Sequence, residues 1–493
     1  MTTHARPRLQ RLSDLYAFFQ RDPTPVWFVS PTPFNLLGLG PWVRNLEYVN
    51  HFDCFGGRHP KVFVPPARER REFASIEEVC NHLLEHKAVV DRIRARQAEA
   101  SQRGAGPGKL VLVMFDARTE AIAHELGLEI AHPAAALRKR LDSKIVTTHL
   151  GNRAGVPSVP NVLARASSWE EVSQAAVSAG LGNDLVIQAP YGDSGRTTFF
   201  VRSEADWDGC AAKIGYDEIK IMRRINHVPG TLEAVATRRG TLVGPLQVDL
   251  TGHDDLTPYK GGWCGNDVYP DPFSTAQRVQ VRAMARALGD ELMREGYRGA
   301  FCVDFLIDSD SGEVYLGELN PRVSGASPLT NLITAHYGGV PLFLFHLLEF
   351  MDVDCEFDLD DVQSRWNEFD GWSQLVLKQI EDRTELITRA PPSGLWRMDE
   401  RGDVAFVRHE SDFTAVADEN EAFYLRVYGV GDWRFHGADM GIIVARGRMQ
   451  ADDRRLLERA RGWSRGILSH FDGVAPMPAA AVALPAPGAA KWY

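Results

Sequence analysis

The stretch AFCVDFLIDSDSGEVYLGELNPR, residues 300–322, constrains the fold more than any other. Two apolar-rich runs flank Asp310-Ser311-Gly312, the pattern of two antiparallel strands joined by a tight turn. With a three-residue loop and Gly312 in the left-handed conformation, Ser309 faces Glu313. Counting back along both strands, Asp304 faces Glu318, and alternation adds Asn320 and Arg322 to the same side. Two carboxylates, an amide oxygen and a guanidinium then converge. Such crowding of like charge is unfavourable unless a cation lies between the carboxylates, and a small set of hard oxygen donors suits a Mg²⁺ that also holds phosphates. The flanking strands are too apolar for a solvated sheet face. The acidic alternation of DSDSG is also that of a calcium loop, but the twelfth position counted from Asp308 is Leu319, where a helix-loop-helix calcium site needs Glu.

The 493 residues are enough for roughly three domains. Through the first third, short apolar runs (PVWFVS, KVFVPP, KLVLVMFD) alternate with helical patterns, among them one long charged helix around SIEEVCNHLLEHKAVVDRIRARQAEA. That alternation predicts a parallel sheet in an α/β domain over residues 1–140. From 141 to 353 the pattern changes to paired strands broken by Gly turns: DLVIQAP against TTFFV, EIKIM against TLEAVAT, and the carboxylate hairpin. These predict antiparallel sheets with packed helices, one of them opened by a capping box of Ser274 and Gln277. Residues 354–475 mix strands (GDVAFVRH, AFYLRVYG, MGIIVARG) with a final helix as an α+β unit. The Ala/Pro tail, 476–493, reads as disordered.

Charge and cysteine usage exclude several classes. The net charge is −10, and no basic run is interleaved with aromatics, so nucleic acid is not an expected partner. The N-terminal segment lacks a signal-peptide core, and no window approaches the apolar run of about 20 residues that a bilayer demands, which predicts a cytoplasmic protein with no membrane partner. Six scattered cysteines, with no CxxC pair, predict free thiols.

The segment PYGDSGRTTFF, 190–200, carries the four letters found around the nucleophile of trypsin-like proteases. Gly-rich loops with hydroxyls also cradle phosphates. A protease would need a His and an Asp delivered by a two-barrel β-fold, and the fold cues here are α/β.

Taken in order, LDSK, the Gly-rich loop and the D…GELNPR hairpin resemble the ATP-grasp superfamily, nearest the branch that includes biotin carboxylase and carboxylate-amine ligases. The resemblance spans about residues 105–350. It implies an ATP-grasp fold: an N-terminal parallel-sheet domain, a hinged lid over about 145–215, an antiparallel nucleotide domain and a C-terminal α+β domain. It implies ATP and Mg²⁺ as cofactors, with Asp304 and Glu318 holding two ions, Asn320 joining the second, and Arg322 contacting the transferring phosphoryl group or the substrate carboxylate. Lys144 matches the family lysine that reaches the phosphates. In the lid, Gly192 and Gly195 would admit the β- and γ-phosphates, with hydroxyl bonds from Ser194, Thr197 and Thr198.

The chain departs from the family at several points. Gln188 stands where a phosphate-binding lysine is usual, and Arg196 or Lys260 is expected to supply the missing charge. The hinge, whose backbone binds adenine, reads Arg223-Arg224-Ile225 in place of an opening Glu. Glu233 matches a position facing ribose or magnesium. The Arg-x-Gln-Val-Glu segment of biotin carboxylase is replaced by PRVSGASPLT. The resemblance therefore implies an ATP-dependent carboxylate-amine ligase that forms an amide or peptide bond through an acyl phosphate, releasing ADP and phosphate. Its partners would be a small carboxylate and an amino acid or peptide amine, with homodimerisation open. The alternatives are other ATP-grasp chemistry, such as biotin-type carboxylation, and a nucleotide-binding module without turnover.

Overall fold

The computed structural model describes residues 8–66, 72–192, 197–215, 218–269, 271–366, 369 and 371–476. The expectations placed on Ser194, Gly195, Arg196 and the tail from 477 onward lie outside the described residues.

The first third forms the expected parallel sheet. Its strands are β1 (Val26–Ser30), β2 (Leu46–Asn50), β3 (Val62–Phe63), β4 (Lys109–Leu112) and β5 (Glu129–Ile130), in the order β3-β2-β1-β4-β5. Every residue of β1 is buried, because alternate side chains enter two different cores: Trp27 and Val29 on one face, Val26 and Phe28 on the other. That two-sided burial is why VWFVS shows no polar alternation. The single long helix is instead two, α1 (Ile76–Glu85) and α2 (Lys87–Gln102). His86 between them leaves helical geometry at ψ 126°, and its Nδ1 accepts the Ala88 N–H at 3.2 Å, so one residue ends the first helix and caps the second.

Next comes a four-stranded antiparallel sheet of β6 (Asn161–Arg165), β7 (Leu185–Gln188), β8 (Thr198–Val201) and β9 (Glu218–Arg223), ordered β6-β9-β7-β8. DLVIQAP pairs with TTFFV as expected. EIKIM does not pair with TLEAVAT: it is β9, between β6 and β7. Ile219 and Ile221 close the small core of this sheet with Ile187 and Val201, a burial unavailable to them elsewhere.

A ten-stranded antiparallel sheet follows. It contains β10 (His227–Thr237), β11 (Gly240–Thr251), β12 (Trp263–Val268), β13 (Gly299–Asp308), β14 (Val314–Asn320), β15 (Trp372–Lys378), β16 (Gly394–Met398), β17 (Val404–Arg408), β18 (Glu421–Arg426) and β19 (Asp439–Arg446). The order is β14-β13-β10-β11-β12-β15-β19-β18-β16-β17. Between the lid strands β6 and β7 and the preceding domain lies α3 (Lys144–Ala154), and α4 (Thr275–Arg294) covers one face of the sheet with Val281, Met284, Leu288 and Leu292 against Leu232, Phe301 and Val303. The Ser274–Gln277 capping box is present at the start of α4. The C-terminal strands continue the same sheet, through pairing of β12 with β15. At that joint Gly265 has φ +145°, and a Cβ there would stand 2.1 Å from the Gln374 carbonyl oxygen, so only glycine allows the approach. All six cysteines are free. No helix among the described residues is long and apolar enough to cross a membrane.

The first domain is tied to the ten-stranded sheet by two buried histidines. His132, just after β5, and His346, in α5 (Phe343–Phe350), lie with ring centroids 4.9 Å apart. The Leu112 N–H donates to His132 Nε2 at 3.3 Å and the Ala300 N–H to His346 Nδ1 at 2.9 Å, so each ring serves as a neutral acceptor. Burial holds His346 down to about 3 and His132 well below the usual histidine range. A depressed folded value means that the unfolded chain binds the proton first, so this contribution is present above about pH 6.5 and is lost as pH falls toward 3. Between pH 7 and pH 5 the wild type should lose about 1–2 kcal/mol of unfolding free energy relative to His346→Gln, which keeps an acceptor but cannot titrate. Equal pH slopes in urea unfolding of the two proteins would refute this.

Candidate functional site

The carboxylate hairpin forms, by a different route from the one its turn predicts. The Gly312 N–H donates to the Asp308 carbonyl at 2.8 Å and the Asp308 N–H to the Glu313 carbonyl at 2.9 Å, so four residues rather than three make the loop. Ile307 then pairs with Val314, one step out of the expected register. A bulge at Gly317 restores the step, and Asp304 faces Glu318 after all. Gly317 suits the bulge because a Cβ there would press the Asp304 carbonyl oxygen at 3.1 Å.

Around this pair the sheet assembles a polar cluster. Asn320 Nδ2 donates to Asp304 Oδ2 at 3.1 Å, and Arg322 Nη2 donates to Asn320 Oδ1 at 2.9 Å. The Thr231 hydroxyl, on β10, lies 2.8 Å from Asp304 Oδ1 and 3.1 Å from Asp249 Oδ2 on β11. One hydroxyl proton cannot serve both carboxylates. Asn266 Nδ2 donates to Asp249 Oδ1 at 2.7 Å, and Gln374 Nε2 supports Asn266 at 2.8 Å. Burial pushes both aspartates up, Asp304 further through Glu318 and Asp249 further through Asp304. Sequence reasoning missed Asp249; its one signal was a lone acid inside the apolar strand GPLQVDLT. Among the described residues no group of three or more Asp, Glu, His or Cys side chains forms a ready metal cage. Two facing carboxylates with an amide beside them fit a Mg²⁺ whose remaining ligands are phosphate or water.

Lys144 joins the hairpin to the lid. Its buried ammonium donates to Glu318 Oε1 at 2.8 Å and to the Gly192 carbonyl at 2.7 Å, while its backbone N–H, in the first turn of α3, donates to the Pro190 carbonyl at 2.8 Å. Gly192 has φ +144°, and a Cβ there would stand 2.1 Å from Thr197 Oγ1. Gly192→Ala should therefore force the hairpin off Lys144 and weaken nucleotide binding roughly tenfold, with little change in the unfolding midpoint. Titration calorimetry giving wild-type affinity would count against that role for the loop.

The inner face of the lid grades from polar to apolar. Gln188 donates to the Thr198 hydroxyl at 3.2 Å and pairs with Lys220 on β9. Two residues along, Val186 pairs with Met222, and these meet Ile225, Leu306, Val159 and Tyr315 in a small apolar cluster at the hinge. Such a surface suits a nucleobase at one end and phosphates at the other. Arg223 is exposed at the end of β9, and its N–H donates to the Pro160 carbonyl at 3.0 Å. The Glu233 carboxylate accepts bonds from the Ser324 N–H at 3.2 Å, the Ser324 hydroxyl at 2.9 Å and the Ser327 hydroxyl, and so props the loop after Arg322. Burial raises it to about 7. Lys260 is exposed, in the loop whose Gly261 lines the cavity. That cavity, about 220 Å³, is bounded by Asp249, Asp304, Glu318, Asn320, Arg322 and Trp263.

Residues 268–347, which contain the hairpin, match the family of the carbamoyl-phosphate synthase L chain, ATP binding domain. No curated protein matches the chain. Among solved structures, biotin carboxylase from Campylobacter jejuni in complex with β-γ-ATP is similar, with a TM-score of 0.59 and 11% identity over 91% of this chain and 92% of that one. So is the biotin carboxylase domain of 2-oxoglutarate carboxylase from Hydrogenobacter thermophilus, with a TM-score of 0.55 and 12% identity over 91% and 90%. Carboxyaminoimidazole ribonucleotide synthase from Aspergillus clavatus, complexed with ATP, gives a TM-score of 0.54 and 12% identity over 90% and 98%. At such identities the likeness is one of fold: over some nine-tenths of its length the chain has the ATP-grasp fold of these proteins, and the matched family covers the carboxylate hairpin itself.

Proposed function

We propose that the chain is an ATP-dependent ligase that activates a small carboxylate as an acyl phosphate and passes the acyl group to an amine. The observation that carries this reading is the convergence of Asp304, Glu318, Asn320 and Arg322 on one cavity, with the Lys144 ammonium bonded to Glu318. The cavity's one thiol, Cys302, is buried beneath Asp304, and burial pushes it well above the usual thiol range. Carboxylates, an amide and a guanidinium gathered in this way suit direct phosphoryl transfer to the substrate, where positioning and charge stabilisation do the catalysis.

In this reading Asp304, Glu318 and Asn320 hold Mg²⁺, which neutralises charge on the phosphates. Lys144 and the Gly192 turn meet the phosphates from the lid side, and the apolar cluster at Ile225 and Met222 takes the adenine. Arg322 anchors the substrate carboxylate next to the γ-phosphate. A carboxylate oxygen attacks the γ-phosphorus and ADP leaves; the amine then attacks the acyl carbon, and phosphate and a proton leave. Asp249 lines the cavity from β11 and suits the cationic end of an amine substrate.

A second reading takes bicarbonate as the acid that is phosphorylated, and it is supported by the carboxylases and the ribonucleotide synthase among the similar structures. One assay separates the two. ADP release is measured with pooled amino acids, with and without hydroxylamine, and with and without bicarbonate. Hydroxamate formation is expected; ADP release that requires bicarbonate and yields no hydroxamate would favour the second reading. Nucleotide binding with no ADP under any condition would overturn both.

A further inference from the structure

We propose that Lys220 is the lid cation that holds the nucleotide phosphates in this chain, standing in from the neighbouring strand for the lysine absent at position 188. The assignment rests on the reading of the site as nucleotide-binding. In the β7–β9 pair Lys220 lies directly opposite Gln188, so the two side chains leave the lid sheet side by side on its inner face. The neighbours Ile219 and Ile221 point the other way, into the lid core. Lys220 is therefore not turned inward to fill a hydrophobic gap; it is on the face shared with Met222 and the apolar hinge cluster, two residues from where a base would sit.

Its surroundings lack the anion a buried ammonium needs. Lys220 is 1% exposed, and among the described residues its ammonium has no hydrogen-bond or ion-pair partner. The charged groups that act on it are Glu318, whose Oε1 already accepts from Lys144, and Lys144 itself. Of these two ammonium groups, one from the start of α3 and one from the lid, only Lys144 is bonded to the carboxylate. Burying an unpaired ammonium is costly, and a fold that retains one there is arranged to receive more negative charge than the protein supplies. A di- or triphosphate reaching from the apolar cluster toward Glu318 provides it. The Gln188 Oε1 beside it is also buried without a partner, as expected of a pocket edge completed by a ligand.

Calorimetric titration of the full-length protein with ATP, ADP, AMP and adenosine, in Mg²⁺, tests this. Lys220→Met should weaken ATP and ADP by about ten- to a hundredfold, the worth of a charge-assisted bond, and change AMP and adenosine by less than about threefold. Adding Gln188→Lys to Lys220→Met, which moves the ammonium to the adjacent strand on the same face, should recover most of the lost ATP affinity. A thermal scan of each ligand-free variant checks folding; Lys220→Met removes an unpaired buried charge and should not lower the transition. Unchanged ATP affinity in Lys220→Met, or an equal loss for adenosine and ATP, would overturn the assignment while leaving the nucleotide reading intact. If the unaltered protein bound none of the four ligands, the nucleotide reading itself would fall, and the assignment with it.

Discussion

Replacing Asp304 with Asn should reduce ADP formation at least about a thousandfold while leaving the ligand-free protein as stable as the wild type or more so. The two effects have one origin. Asp304 sits opposite Glu318 and shares the Thr231 hydroxyl with Asp249, so it accepts from one amide and one shared hydroxyl, and no cation among the described residues is bonded to it. Burial first, and Glu318 second, raise the proton affinity of Asp304 above the ordinary carboxylate range. A carboxyl with a raised folded value stabilises the fold below its unfolded value and loses that contribution as pH rises through the folded one. At pH 8 the ionised Asp304 therefore strains the ligand-free protein, and a neutral amide relieves the strain, while depriving Mg²⁺ of a ligand. Thermal scans with and without MgATP make the contrast visible. Ligand bound at a hundred times its Kd stabilises by about 2.7 kcal/mol, and that increment should vanish in Asp304→Asn. Turnover near wild type, or a ligand-free transition several degrees lower, would remove Asp304 from the site or make it a structural residue.

The second large effect is one of stability. Lys378, at the end of β15, and Asp439, at the start of β19, form an ion pair in which the side chains are 3% and 1% exposed. Lys378→Met should destabilise the protein by about 3–5 kcal/mol, because it leaves Asp439 charged and buried without a partner. Lys378→Met combined with Asp439→Leu should recover much of that loss, since two apolar side chains need no compensation there. Urea unfolding of the three proteins gives the comparison. A single variant within about 1 kcal/mol of wild type would mean that Asp439 finds another partner or takes up a proton. The consequence reaches the site, because β15 also carries Gln374, which supports Asn266 and through it Asp249.

The facing of Asp304 and Glu318 was legible in the chain because strand alternation is a local property. It survived a misjudged turn only because the bulge at Gly317 offset the fourth loop residue, a cancellation that period and composition do not encode. The parallel sheet, the DLVIQAP–TTFFV pair and the Ser274 cap were legible for the same reason: side-chain period, turn residues and capping act over a few residues. The break at His86 was not, since both sides of it carry helical sequence and the interruption rests on one extended residue whose ring caps the second helix. Long-range pairing decided the rest. EIKIM has the composition to pair with several strands, and burial of Ile219 and Ile221 in the lid core selects one. That choice alone sets Lys220 beside Gln188, where a lone lysine in an apolar strand becomes a buried charge on the face of the lid opposite its core. Asp249 likewise reads as an isolated acid until β10 and β11 pair and bring it to Thr231. The sequence by itself determined which carboxylates face each other across one turn; only the tertiary structure decided which cations and further acids surround them, because those arrive from strands whose partners are chosen by the burial of their opposite faces.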